Sequence, residues 1–383
     1  MRNLWSPASF QGGRKKRDYF EGWYFKHSGG IAEGVWSFIP GIALGSEKGS
    51  GYAFVQVIEG KTGKSWWFQY SREEFHASEA GLDIRVGKNR FSDRGIEFDL
   101  SDGTSRISGA FAYGGFSIPR FPFWSPGVMG PFTFMPGMEC CHGLVSLDHR
   151  VDGRLEVDGR QVSIDDGRGY IEKDWGSSMP ESWIWTQSND FPRRGDSLML
   201  SVAKIPWFGS SFRGFLCVFS HDNEKHLFTT YNGSKIMDLS VTDEKVRCRI
   251  SRGIKEIRGT TVCGIKVNGW ESAGESLEIS VTRSHGATIR GATIRGATIR
   301  GATIRGATIR GATIRGAKMR GGILRAPVAG LLSRRIAEAV DARLSIRYSR
   351  PGSAVYETES PLAGLEVAGE LLSLTPAKGR ERR

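Results

Sequence analysis

Short runs in which apolar and polar residues alternate one for one recur along most of this chain, and no other feature constrains its fold as much. A period of two marks a strand with one buried face. Leu82, Ile84 and Val86 alternate with Asp83 and Arg85, and Ile96, Phe98 and Leu100 alternate with Glu97 and Asp99 before the turn Ser101-Asp102-Gly103-Thr104. Further strands are expected near 34–39, 52–58, 65–70, 183–187, 198–204, 213–220 and 225–231, the last two joined by His221-Asp222-Asn223-Glu224. Val246, Cys248 and Ile250, then Leu277, Ile279 and Val281, continue the pattern, and strands at 342–348 and 364–369 close it. The expected fold class is all-β and antiparallel. At 383 residues the chain is long enough for two cores, since one core rarely keeps growing beyond roughly 250–300 residues. An N-terminal lobe over 1–152 and a C-terminal lobe over 153–383 are expected. One short helix is expected at 327–340, where Pro327 suits a first turn and Val328, Leu332, Ile336 and Val340 share a face.

Two segments depart from simple alternation. Trp66, Phe68 and Tyr70 oppose Trp67 and Gln69, so both faces of that strand meet apolar surroundings. Residues 113–138 interleave Pro119, Pro122, Pro126, Pro131 and Pro136 with Phe116, Phe121, Phe123, Trp124, Phe132 and Phe134. Proline excludes a central strand and the aromatics exclude a solvated linker, which leaves an ordered lid over a barrel mouth or between lobes. Six copies of Gly-Ala-Thr-Ile-Arg fill 286–315 and Gly-Ala-Lys-Met-Arg follows at 316–320. The unit resembles the pentapeptide-repeat family, but seven units give less than two coils of its four-unit turn, so a mobile basic insertion in the second lobe is favoured over a docked solenoid.

The net charge of +12 comes largely from that insertion, where seven Arg and Lys318 stand without a single acid. A second basic run, Arg14-Lys15-Lys16-Arg17, has the ordinary reading of a solvated segment and the functional reading of weak peripheral attraction to an anionic membrane. No nucleic-acid motif accompanies the charge, and nucleic acid is not an expected partner. Five cysteines at irregular spacing form neither a Cys-x-x-Cys pair nor a zinc pattern, which predicts a reducing compartment and no metal. The first residues lack the apolar run of a signal peptide, and the longest apolar stretches are far too short for a bilayer span. A cytoplasmic location, at most on a membrane surface, is expected.

Chemistry concentrates in two blocks, Tyr19-Phe20-Glu21-Gly22-Trp23-Tyr24-Phe25-Lys26 and 169–189, which begins Gly169-Tyr170-Ile171-Glu172-Lys173-Asp174-Trp175-Gly176. In an extended strand Tyr170, Glu172 and Asp174 share one face, with Ile171, Lys173 and Trp175 on the other. A carboxyl among aromatic rings is disfavoured in its charged form and can serve as a general acid near neutrality. The rings would also stabilise a carbocation. From the residues alone, salt-bridged carboxylates and core tryptophans explain the same pattern, and they are the favoured account.

These blocks shift that balance because they resemble the tocopherol cyclase family. The resemblance rests on 19–26, on 128–143 (Val-Met-Gly-Pro-Phe-Thr-Phe-Met-Pro-Gly-Met-Glu-Cys-Cys-His-Gly), on 169–189 with its Glu-Lys-Asp-Trp-Gly and Trp183-Ile184-Trp185, and on 326–330 with Ala363-Gly364-Leu365-Glu366-Val367-Ala368-Gly369. It implies lipocalin-like barrels related to carotenoid hydratases. It also implies ring closure of a prenylated quinol, in which an acid protonates the alkene and the phenol oxygen traps the cation, with no cofactor. The expected catalytic residues are Glu172, the preferred acid, and Asp174, with Glu139 and His142 as relay or base. The expected substrate wall is Glu21, Trp23, Tyr24, Tyr170, Trp175, Trp183, Trp185 and Gln187. Plant members read Asn where Asp174 stands, and bacterial ones tend to show His where this chain has Asp190. The alternative is a non-catalytic carrier of hydrophobic lipid, because barrels of this kind host both tasks.

Overall fold

The computed structural model describes residues 4–15, 17–47, 49–121, 125–135, 138–207, 210–242, 244–262, 265–272, 274–282, 299–300, 314–315, 336–369 and 374. The chain folds into two large antiparallel sheets, each curled toward a barrel. The first sheet uses β1 (Tyr19–Ser28), β2 (Val35–Leu44), β3 (Gly51–Glu59), β4 (Lys64–Tyr70), β5 (Phe75–Ala77), β6 (Asp83–Val86), β7 (Asn89–Ser92), β8 (Gly95–Ser101), β9 (Arg106–Gly114), β10 (Cys140–Val157) and β11 (Arg160–Gly176). Its spatial order is β4-β3-β2-β1-β11-β10-β9-β8-β7-β6-β5, so β1 pairs with β11 across the whole length of the lobe's sequence. The second sheet follows with β12 (Trp183–Ser188), β13 (Ser197–Trp207), β14 (Ser210–His221), β15 (Glu224–Thr229), β16 (Lys235–Val241) and β17 (Lys245–Ser251). A separate hairpin of β18 (Ile254–Val262) and β19 (Ile265–Ser272) leads to β20 (Ser276–Thr282). Two-residue strands β21 (Ile299–Arg300) and β22 (Ile314–Arg315) pair in parallel, and β23 (Ile336–Ser349) and β24 (Tyr356–Ala368) return to the second sheet. Its order is β15-β14-β13-β12-β24-β23-β20-β17-β16.

Turn chemistry sets the registers that matter. Asp158 and Gly159, both at positive φ (49° and 86°), make the tight turn between β10 and β11, and such two-residue turns match the right-handed strand twist. Val157 therefore pairs with Arg160, and the ladder runs to His142 opposite Asp174. Asp222 and Asn223, at φ 57° and 62°, do the same between β14 and β15, as the sequence predicts.

Two corrections follow. The expected lobe boundary at 152/153 falls inside the first sheet, because Gly153 is a bulge in the long strand β10 rather than a break. The second sheet begins at Trp183. Of the helix expected at 327–340, residues 327–335 lie outside the described ones, and Ile336–Val340 belong to β23, where Ile336 pairs with Ala368 and Ala339 with Leu365. Pairing with a distant strand overrides the local helical spacing. Apart from β21 and β22, the repeat at 286–320 also lies outside the described residues.

Among the described residues three large apolar cores result, beside a small cluster of Val35, Ile58 and Leu362. Trp23, Phe25, Trp36, Phe38 and Trp175 sit inside the first barrel, and Ile184, Leu200, Phe219 and Ile279 inside the second. A third core, with Tyr24, Val128, Met129, Tyr170, Trp183 and Trp185, fills the space between the sheets. The end of the first barrel is closed by its own N-terminal segment: Trp23 Nε1 donates to the Ala8 carbonyl at 3.1 Å and Lys173 Nζ to that of Ser9 at 2.6 Å. No helix among the described residues is long and apolar enough to cross a membrane.

Candidate active site

The strands β1, β11 and β10 lie side by side and form a wall with two different faces. Side chains alternate across it. On the barrel side, Glu21, Trp23, Lys173 and Trp175 are buried. Lys173 Nζ meets Glu21 at 2.7 Å, and the ammonium lies 5.0 Å and 4.5 Å from the ring centres of Trp23 and Trp175. Glu21 also accepts from Tyr19 Oη at 2.6 Å and from the Gln11 amide at 3.0 Å. This pair is a fully enclosed brace for the barrel, and burial lowers the Lys173 pKa despite the Glu21 charge.

On the other side the same strands present Phe20, Gly22, Tyr24, His142, Glu172 and Asp174 to a cavity of about 210 Å³ between the sheets. Register explains the grouping: Tyr24 faces Glu172 and Gly22 faces Asp174 across β1–β11, while His142 faces Asp174 across β10–β11. His142 Nδ1 lies 2.8 Å from Asp174 Oδ1, and Nε2 lies 3.4 Å from Glu172 Oε2 without hydrogen-bond alignment. Glu172 Oε2 also accepts from Tyr170 Oη at 2.5 Å and Trp185 Nε1 at 3.2 Å. Burial alone would lower the His142 pKa, but the Asp174 and Glu172 charges outweigh it and hold the imidazolium well above the ordinary range. Burial and the Glu172 charge push the Tyr170 phenol well up, so it stays a donor. Among the described residues, His142, Glu172 and Asp174 are the group able to hold a metal ion, with ligand atoms within 4.8 Å of one another.

The second sheet supplies the opposite wall. Trp183 and Trp185 project from β12, and Tyr24 meets the Trp185 ring edge-on at 5.5 Å. Glu366 of β24 stands beside Trp185 in register and accepts from Trp183 Nε1 at 3.0 Å. Burial, followed by the Glu172 and Asp174 charges and against the Trp183 hydrogen bond, raises its pKa to about 7. The remaining wall is mostly apolar, with Met129, Phe132, Met138, Met179, Ile205 and Phe212 among its residues and Gln56, Ser201 and Thr230 as its polar ones.

Of the residues expected from sequence, the fold brings Glu172, Asp174, His142, Tyr24, Trp183 and Trp185 to the cavity, with Tyr170 bonded behind Glu172. Glu21, Trp23 and Trp175 point into the first barrel instead, because they occupy the other parity of their strands. Gln187 is buried beyond the cavity, donating to Asn189 Oδ1 at 3.3 Å. Glu139 is exposed just before β10 and stands outside the cavity wall. Glu366 was missed as a site residue. Its only local signal is a lone acid in the apolar run Leu362–Ala368.

Two barrel-like sheets with an apolar cavity between them, and acids gathered on its walls, define the class as a two-barrel β protein. The chain belongs to the tocopherol cyclase-like family, whose sequence pattern matches residues 132–369 and so includes His142, Glu172, Asp174, Trp183, Trp185 and Glu366. It is 24% identical over 148 residues to the "Probable tocopherol cyclase, chloroplastic" of Oryza sativa subsp. japonica, covering 39% of this chain and 27% of that protein. It is 35% identical over 51 residues to "Tocopherol cyclase, chloroplastic" of Zea mays, covering 13% and 11%. The alignments thus span about a quarter and a tenth of those relatives' lengths. Kievitone hydratase from Nectria haematococca is similar in structure at a TM-score of 0.43 and 8% identity, covering 96% of this chain and 92% of that one.

Proposed function

We propose that this protein is an enzyme that protonates a carbon–carbon double bond of an apolar, isoprenoid-like lipid and closes a ring by trapping the cation with a phenol oxygen. The observation that carries the reading is Glu366: a carboxyl held near half-protonation at neutral pH in a tryptophan-lined apolar cavity, opposite a second set of acids. A general acid is most useful when its pKa lies near the working pH.

Sequence favours Glu172 as the acid; the geometry supports Glu366 in that role. The Glu366 carboxyl gives its proton to the less substituted alkene carbon, forming a C–H bond and leaving a tertiary carbocation. The rings of Trp183 and Trp185 stabilise that charge, and the apolar wall keeps water from competing for it. The phenol oxygen then forms the C–O bond, and its proton passes to the Glu172 or Asp174 carboxylate. Asp174, one-third exposed, returns the proton to solvent, from which Glu366 is recharged. No atoms are gained or lost, so the reaction is an isomerisation.

The test is incubation of the protein with a prenylated hydroquinone in deuterated water, with product separated and weighed. A chromanol carrying one carbon-bound deuterium is expected, and Glu366→Gln and Glu172→Gln should each cut turnover by about 100-fold or more while leaving ligand affinity in place. Tight binding with no chromanol, unaltered by either substitution, would instead establish a carrier of hydrophobic lipids.

A further inference from the structure

Aromatic side chains continue past the cavity lining into solvent. The lid turn Gly130–Phe134 covers the cavity with Phe132, whose ring lies 5.9 Å from Phe212, 6.2 Å from Tyr231 and 6.4 Å from Trp207. Two residues on, Phe134 turns the other way and is 52% exposed. Its ring lies 6.2 Å from that of Trp5, itself 48% exposed. Trp5 belongs to the N-terminal segment that packs along β10 at Gly143, next to His142. Phe132 thus lines the cavity, and the Phe134 and Trp5 rings stand exposed beside it as a short collar.

An exposed aromatic pair at a cavity mouth is costly in water and favourable at a bilayer interface, where rings settle at head-group depth. The segment that carries Trp5 goes on to the exposed cations Arg14, Lys15 and Arg17. Each basic residue near an anionic leaflet adds about 1 kcal/mol of attraction. We propose that the collar formed by Trp5 and Phe134 docks on an anionic lipid bilayer, so that the cavity mouth opens toward the membrane and an apolar ligand enters without crossing water. The purpose of this surface rests on the lipid-substrate reading, but vesicle binding needs no turnover, so the two fail separately.

The full-length protein is sedimented with vesicles of phosphatidylcholine alone and of phosphatidylcholine mixed with phosphatidylglycerol. Binding to the mixed vesicles, weakened by about tenfold or more in the double variant Trp5→Ser/Phe134→Ser, is the expected result. Brominated lipids should quench tryptophan emission of the native protein and lose most of that quenching with the variant. Both rings are exposed, so a circular dichroism spectrum and melting temperature matching the native ones are the control for folding. Absence of binding to either vesicle overturns the proposal. So does equal, salt-sensitive binding of native and double-variant protein, which would reduce the contact to charge alone.

Discussion

Glu366 shows how one residue's surroundings set both its chemistry and its cost. Its carboxyl titrates near 7 in the folded chain and near 4.5 when unfolded. A carboxyl raised in this way binds its proton more tightly in the native state, so the native state loses stability as pH rises from 4.5 toward 7. Glu366→Gln removes that loss: the variant should melt a few degrees above the native protein at pH 8, with the difference gone by pH 4, while its turnover collapses. Calorimetry across that range would show it, and a pH-independent difference would place the carboxyl in water. On the proposed mechanism, turnover of the native protein should fall as pH rises through about 7, where Glu366 loses its proton. The sequence offered little to find this residue. Glu172 and Asp174 announce themselves by crowding among aromatics, whereas Glu366 becomes a site residue only when β24 pairs with β12 some 180 positions away, a contact without local periodicity.

At the level of elements, β1 and β11 form a wall whose two faces do unrelated work, and that division is testable. Trp175→Ala opens a hole in the first barrel and should cost roughly 3–5 kcal/mol in chemical unfolding, with ligand affinity little changed. Trp185→Ala should weaken ligand binding and remove a donor to Glu172. Gly169 on β11 leaves room for His149, whose Nε2 would stand 2.1 Å from an added Cβ. Gly169→Ala should therefore destabilise by roughly 1–3 kcal/mol, read from urea midpoints. Strand alternation was legible from the sequence, so the face shared by Tyr170, Glu172 and Asp174 could be read off directly. Which face met the cavity could not, because both carry tryptophan or tyrosine. Ile336–Val340 misled for a related reason: their apolar spacing suits a helix, and only the ladder with β24 makes them strand.

Across the whole molecule, the two sheets are tied by a buried polar junction as well as by apolar contact. Lys26 of β1 is fully buried and donates to Asp190 at 2.7 Å, to Asn189 at 3.3 Å and to the Leu362 carbonyl of β24 at 3.2 Å. Arg168 of β11 grips Asp148 through two bonds and reaches the carbonyls of Phe191 and Asp196. Removing one partner of such a pair strands the other in a place without water. Lys26→Met should lower stability by about 3–5 kcal/mol and separate the unfolding of the two barrels, seen as two calorimetric peaks in place of one. A single peak would assign the coupling to the apolar core alone. The wall between barrel and cavity has a further consequence, for redesign. On β1, β10 and β11 the residues whose side chains face the cavity, Phe20, Gly22, Tyr24, Cys140, His142, Glu172 and Asp174, carry even numbers, while Glu21, Trp23, Lys173 and Trp175 carry odd ones and turn their side chains into the barrel, Lys173 touching the cavity without turning its ammonium to it. A library confined to these seven positions explores new ligands with the barrel's own packing held constant, and a single residue inserted ahead of them in one of these strands would exchange that strand's two vocabularies at once.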